Sequence, residues 1–173
     1  MEEKTISSQL IYDGKVVKLY KDQVLLSNGQ TSIREEIKHS GGASVLVVKN
    51  QKILFVKQFR YAYLEEVLEI PAGKLNAGEN PKETAIRELE EECGLVAKNL
   101  KLLYEVYPTP GYTNERLYVY LASEVTEGKI HLDDDEFVEP IWIEESKVKQ
   151  MLLNGEIKDA KTIIALQRYF LEQ

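Results

Sequence analysis

Cysteine is almost missing from this chain: Cys93 stands alone, so no internal disulfide can staple the fold and stability must come from packing, as in a reducing compartment. No apolar run approaches the roughly 18 to 20 residues that a bilayer-spanning helix needs. Met1-Glu2-Glu3-Lys4 opens nothing like a signal peptide. The expected address is the cytoplasm, without membrane contact. A basic excess is missing too: 29 acids face 22 lysines and arginines, a formal charge of −7, which argues against a sequence-independent grip on nucleic acid. An acidic chain meets an anionic ligand through a local arginine cluster or a bound cation. Internal repeats, low-complexity tracts and Pro/Ser-rich linkers are absent, as are Walker A, HExxH and GxSxG strings. The 173 residues have the size of one domain with a small appendage.

What is present falls into two regions. Residues 1–40 read as a small N-terminal β-domain of short extended segments (16–20 and 24–26 among them), with Asp13-Gly14 and Asn28-Gly29 as turns. Asn-Gly between apolar runs signals a two-residue hairpin. Gly41-Gly42 then breaks the chain, and residues 41–173 read as the main domain. Apolar runs at 43–48 and 53–58 flank the polar turn 49–52 and predict a hairpin in its core. Further extended segments are expected at 102–107, 116–121 and 140–143, and helices at 146–153 and from an Asp159 cap to residue 171.

The most informative helix lies between. Asn80 can cap it, Pro81 suits its first position, Glu83 stands where a capping-box acid would, and Gly94 stops it. At 100° per residue, Ala85, Ile86, Leu89 and Cys93 form an apolar stripe, and Glu88, Glu91 and Glu92 fall on an adjoining face. Glu88 and Glu92 are one turn apart, with Cβ atoms about 5 to 6 Å from each other. Three carboxylates so close repel, and a hard divalent cation is the natural compensation. Mg²⁺ or Mn²⁺ suits an all-oxygen site, whereas the thiolate and imidazole set of a zinc site is missing. Glu83 and Glu90 point away from this arc and read as solvent residues.

From Gly73 to Leu95 the chain resembles the Nudix box at nine constrained positions: Gly73, Glu79, Arg87, Glu88, Leu89, Glu91, Glu92, Gly94 and Leu95. Beyond the box it resembles the ADP-ribose pyrophosphatase group. Glu69-Ile70-Pro71-Ala72-Gly73 enters the box as in those enzymes, and Pro110 stands sixteen residues after Gly94, where that group has its marker proline. The resemblance implies an α/β/α sandwich with a mixed central sheet, the small β-domain beside it, and a homodimer that exchanges that β-domain. It implies metal ligation by the Ala72 carbonyl, Glu88, Glu91 and Glu92, with Arg87 bracing the glutamates. Arg60 and the Arg34-Glu35 pair occur where the group contacts the diphosphate and adenosine. Thr109, Pro110 and Glu115 lie in the segment that meets the terminal ribose.

Catalysis is thereby assigned to Glu136, Arg87 and Glu91. Glu136, in the acidic run 133–136, takes the general-base position, with Asp134 as the alternative. The implied reaction is hydrolysis of the ADP-ribose diphosphate to AMP and ribose 5-phosphate. The box constrains only the diphosphate chemistry, so another nucleotide sugar such as GDP-mannose is the competing substrate. A non-catalytic nucleotide sensor on the same scaffold would be expected to lose box glutamates or append a basic helix pair, and this chain does neither.

Overall fold

The computed structural model describes residues 2–132, 134 and 136–173, which include ten strands and three helices. None of the described helices is long and apolar enough to cross a membrane. The chain divides into two compact units, Met1–Gly41 with Tyr107–Arg116, and Gly42–Val106 with Leu117–Gln173.

The first unit is an antiparallel sheet in the order β1 (Lys4–Asp13), β2 (Lys18–Leu25), β3 (Thr31–Lys38). Asn28-Gly29 does turn β2 into β3, but through three residues instead of the expected two. Gly29 N–H donates to the Leu26 carbonyl at 3.0 Å, Leu26 N–H donates to Gln30 O at 2.8 Å, and Gly29 lies between with φ of 83°. A tight turn followed by a left-handed glycine is the three-residue solution that also matches strand twist. Near the end of β3, Ile37 N–H donates to Tyr112 O at 2.7 Å and its carbonyl accepts from Asn114 N–H at 3.2 Å, and just past the strand His39 N–H donates to Asn114 Oδ1 at 2.9 Å. These bonds attach 107–116 to the N-terminal sheet, although the sequence places that segment after the main domain has begun. Val24 is the one buried apolar side chain among the described residues of this unit.

The second unit holds a mixed sheet. Its strands are β4 (Gly42–Lys49), β5 (Lys52–Arg60), β6 (Glu65–Glu69), β7 (Ala72–Lys74), β8 (Leu95–Val106), β9 (Leu117–Glu127) and β10 (Val138–Glu144). The order is β10-β5-β4-β9-β8, with β6 on β5 and β7 on β4; only the β4–β9 pairing is parallel. β4 and β5 are joined by Asn50 and Gln51, with φ of 52° and 58°, the left-handed pair that a two-residue hairpin requires. β4 is buried nearly throughout, as a strand covered on both faces must be. Its Ala43, Val45 and Val47 pack with Ala85 and Leu89 of α1 (Pro81–Cys93). Leu46 on the other face packs with Val148 of α2 (Glu145–Leu153) and with Ala165 and Leu166 of α3 (Ala160–Leu171). Two cores, one on each side of the sheet, make the unit the expected α/β/α sandwich.

The sheet also prepares the place where α1 begins. β5 pairs with β4 only as far as Leu54, and β7 takes over along Gly42, Ala43 and Ser44. The chain then enters α1 under local control: Asn80 is extended at φ −75°, ψ 134°, and its side chain accepts from Lys82 N–H at 2.9 Å. Gly94 closes the helix at φ 64°. Fully burying Leu89 contributes roughly 1.5–3 kcal/mol to holding the helix on the sheet.

Candidate active site

Arg87 is the hub of the α1 acidic face. Its Nε and Nη2 donate to the two Glu79 oxygens at 2.9 and 3.0 Å, while Nη1 donates to Glu88 Oε1 at 2.7 Å and Glu91 Oε2 at 2.8 Å. Glu79 also accepts from Asn76 N–H at 2.9 Å. The Arg87 hydrogen bond is the main reason that the Glu79 carboxyl is held down to about 2. The unfolded carboxyl titrates near 4.3. Glu79 therefore adds stability above about pH 4.5 that is lost as pH falls toward 2. Thermal melts across that window should show a shallower loss of Tm in Glu79→Gln than in the parent.

Glu92 is 1% exposed, although periodicity places it on the acidic arc and not in the core. One oxygen accepts from Ala72 N–H at 3.0 Å, and the other, Oε1, is buried without a hydrogen-bond partner among the described residues. Burial pushes this carboxyl up to about 8, the Glu88 and Glu136 charges add to the shift, and the Ala72 bond opposes it. Burial likewise raises Glu88 against the opposing pull of Arg87. The Glu88 carboxylate lies against the Cα of Gly73, so close that a Cβ there would overlap it. A buried carboxylate oxygen lacking a donor, beside further carboxylates, is the donor set a hard divalent cation takes. Among the described residues no three His, Cys, Asp or Glu side chains already converge as a metal cage. Arg87 occupies the facing oxygens of Glu88 and Glu91.

Glu136 is half-buried and its charge reaches both Glu88 and Glu92. Asp134 is exposed, and Asp133 and Asp135 of the same acidic run lie outside the described residues. The expectation that Glu90 is a solvent residue is corrected: it is half-buried, Gly128 packs against its carboxylate, and Oε1 accepts from Lys129 N–H at 3.4 Å. Arg60, at the end of β5, forms a bidentate pair with Glu69, both N···O distances being 2.6 Å. Residue pattern alone identified neither Glu69 nor Glu79 as an anchor, because the arginine that each holds is eight or nine positions away.

The other expected contacts belong to the N-terminal unit. Arg34 on β3 pairs with Glu3, Nε to Oε2 at 2.9 Å and Nη2 to Oε1 at 2.5 Å. Arg34, Glu35 and Pro110 line a groove of about 300 Å³ with Asp22, Tyr112 and Thr113. Thr109 is exposed and its carbonyl accepts from Thr113 N–H at 3.3 Å, closing the turn of the 109–113 loop. Glu115 is half-buried, 3.5 Å from His39 Nδ1. The structure thus groups Ala72, Arg87, Glu88, Glu91, Glu92 and Arg60 in one unit and Arg34, Glu35, Thr109, Pro110 and Glu115 in the other.

A sequence model described as the NUDIX domain matches residues 38–166, and one described as the nucleoside diphosphate sugar hydrolase N-terminal domain matches residues 3–35. The chain is 45% identical to an ADP-ribose pyrophosphatase of Bacillus subtilis (strain 168), over 100% of this chain and 95% of that protein. It is 41% identical to a methanol dehydrogenase activator of Bacillus methanolicus, over 99% and 95% of the two chains. An ADP-ribose pyrophosphatase of Mycobacterium tuberculosis is 34% identical, over 92% of this chain and 79% of the other. A crystal structure of an ADP compounds hydrolase superposes with a TM-score of 0.87, covering 99% of this chain and 94% of the other at 16% identity, a likeness of fold.

Proposed function

The chain belongs to the NUDIX family, and from that membership we infer that it is a pyrophosphohydrolase cleaving ADP-ribose to AMP and ribose 5-phosphate. The observation that carries the substrate is its end-to-end correspondence with an ADP-ribose pyrophosphatase, through both the N-terminal sheet and the box. NUDIX hydrolases generally depend on a divalent metal, and the partnerless Glu92 Oε1 fits one. The Ala72 carbonyl, Glu88, Glu91 and Glu92 would hold it, an all-oxygen set that suits Mg²⁺ or Mn²⁺. Such a cation supplies neutralisation of the diphosphate charge and a lowered pKa for water.

The remaining work falls to side chains of this protein. Arg87 fixes the Glu88 and Glu91 carboxylates through its shared Nη1. Arg60 offers a planar fork to the diphosphate oxygens. Glu136 accepts the proton of the attacking water, a role supported by its proximity in charge to Glu88 and Glu92. Arg34 and Glu35 receive the adenosine side, and Thr109, Pro110 and Glu115 the terminal ribose. We assign the cytoplasm as its compartment, a reducing one in keeping with a chain whose single cysteine, Cys93, can form no internal disulfide.

The N-terminal sheet supports a domain-exchanged homodimer. Ile6, Leu10, Tyr12 and Ile33 are exposed while Val24 alone among the described apolar side chains of that unit is buried. Three strands with so little core do not stand alone. Light scattering should therefore return twice the 19.8 kDa of one chain. A monomer turning over ADP-ribose at the normal rate contradicts the exchange. The substrate is tested by comparing kcat/KM for ADP-ribose and GDP-mannose with Mg²⁺, products being identified. AMP and ribose 5-phosphate should dominate; a preference for GDP-mannose would transfer the activity to another nucleoside diphosphate sugar.

A further inference from the structure

Arg60 is one end of a buried charge network that finishes on α3. Glu69, only 2% exposed, accepts Nε of Arg60 on Oε1 and Nη2 on Oε2. The same Oε2 accepts from Nζ of Lys161, a first-turn α3 residue that is 9% exposed. Lys161 also donates to Asp159 Oδ1 at 3.0 Å. The other Asp159 oxygen caps α3, accepting from Thr162 N–H at 2.9 Å and Thr162 Oγ1 at 2.6 Å. Thr162 Oγ1 in turn accepts from Ile70 N–H at 2.9 Å, two residues before Ala72. Two cations and two carboxylates are thereby satisfied together, the condition under which buried charge is tolerated.

The geometry has a directional effect. A guanidinium held through Nε and Nη2 keeps one edge on its carboxylate and turns the Nη1 edge away from it. Arg60 would still pair with Glu69 if Lys161 were neutral, but Glu69 would then be fixed only by the arginine it is meant to orient. Lys161 ties that carboxylate to α3, an element whose N-terminus is itself capped.

We propose that Lys161 is a positioning residue for diphosphate recognition: by anchoring the Glu69 carboxylate to α3, it sets the direction in which Arg60 presents its remaining N–H groups to phosphate oxygens. This rests on the reading that Arg60 contacts the diphosphate.

The test is a double-mutant cycle on the full chain, comparing Lys161→Met, Arg60→Ala and the combined variant. Binding of α,β-methylene ADP-ribose, a non-hydrolysable diphosphate, is measured by calorimetry, and KM and kcat are measured with ADP-ribose. Lys161→Met should raise Kd and KM about tenfold, with a smaller loss of kcat, and Lys161→Arg should recover most of the affinity. The double variant should bind no more weakly than Arg60→Ala, because Lys161 acts through Arg60. If Arg60→Ala binds like the parent, the assignment of Arg60 to the diphosphate fails, and the role of Lys161 with it. If Arg60→Ala weakens binding while Lys161→Met does not, or if the two losses add, positioning by Lys161 is overturned and the Arg60 reading stands. A fall in kcat alone also overturns it. Thermal melts report folding separately, and should Lys161→Met not fold, Lys161→Gln and Asp159→Asn carry the same cycle.

Discussion

Glutamine at position 92 should give a folded protein that hydrolyses ADP-ribose at least about a hundredfold more slowly in Mg²⁺. Glu92 is nearly inaccessible, and its carboxyl is pushed up to about 8, so the folded chain tolerates an uncharged group there. A carboxamide has the same shape as the protonated acid, and its oxygen can still accept the Ala72 N–H that Oε2 now accepts. What it lacks is the negative charge that draws a cation into the buried end of the site. The parent and Glu92→Gln should therefore melt at similar temperatures in chelator while differing in kcat/KM, and raising Mg²⁺ should return part of the lost rate. Normal turnover by a folded Glu92→Gln protein would remove the α1 acidic face from the mechanism.

Glu136→Gln is expected to separate proton transfer from binding. The box glutamates share a rigid capped helix, whereas Glu136 lies before β10 and touches them through charge. Loss of a general base lowers kcat by about 10² to 10⁴ while leaving uniform substrate binding nearly intact. KM should move little, and raising pH should restore part of the rate by supplying hydroxide. A pH–rate profile at saturating Mg²⁺, run beside Asp134→Asn, decides the assignment. Should Asp134→Asn be crippled and Glu136→Gln nearly normal, the base is Asp134.

Where a structural instruction is local, the sequence displays it. Asn80, Pro81 and Gly94 mark α1 at its observed ends, and the continuous apolar runs of β4 and β5 on either side of a polar turn mark their hairpin. β6 and β7 were not legible because Glu65–Glu69 is mostly acid and Ala72–Lys74 is three residues long; both exist by pairing with strands formed elsewhere. The first part of β8 was missed for another reason. Its register shifts between Ala97 and Asn99 and between Asn99 and Leu100, which breaks the period of two that a strand reading depends on. At the site, spacing revealed which glutamates share a face but not that Glu92 is buried, since neighbours from β7 decide that. Lys161 and Glu69 are 92 residues apart, and Asp159 showed only its capping role.

Gly73 carries a consequence for how β7 can be laid on its neighbour. Its backbone is not left-handed, so the demand for glycine comes from the Glu88 carboxylate pressed against its Cα. In the observed alignment Gly73 stands opposite Ala43, with Ala72 and Lys74 opposite Ser44 and Gly42. Sliding the strand by one residue in either direction would bring a Cβ from Ala72 or Lys74 under that carboxylate. A three-residue strand has almost no side-chain pattern with which to specify its own alignment. The missing methyl group at Gly73 supplies it instead: steric exclusion across a helix–strand contact acts as an alignment mark, rejecting both neighbouring placements of the segment that leads into the box.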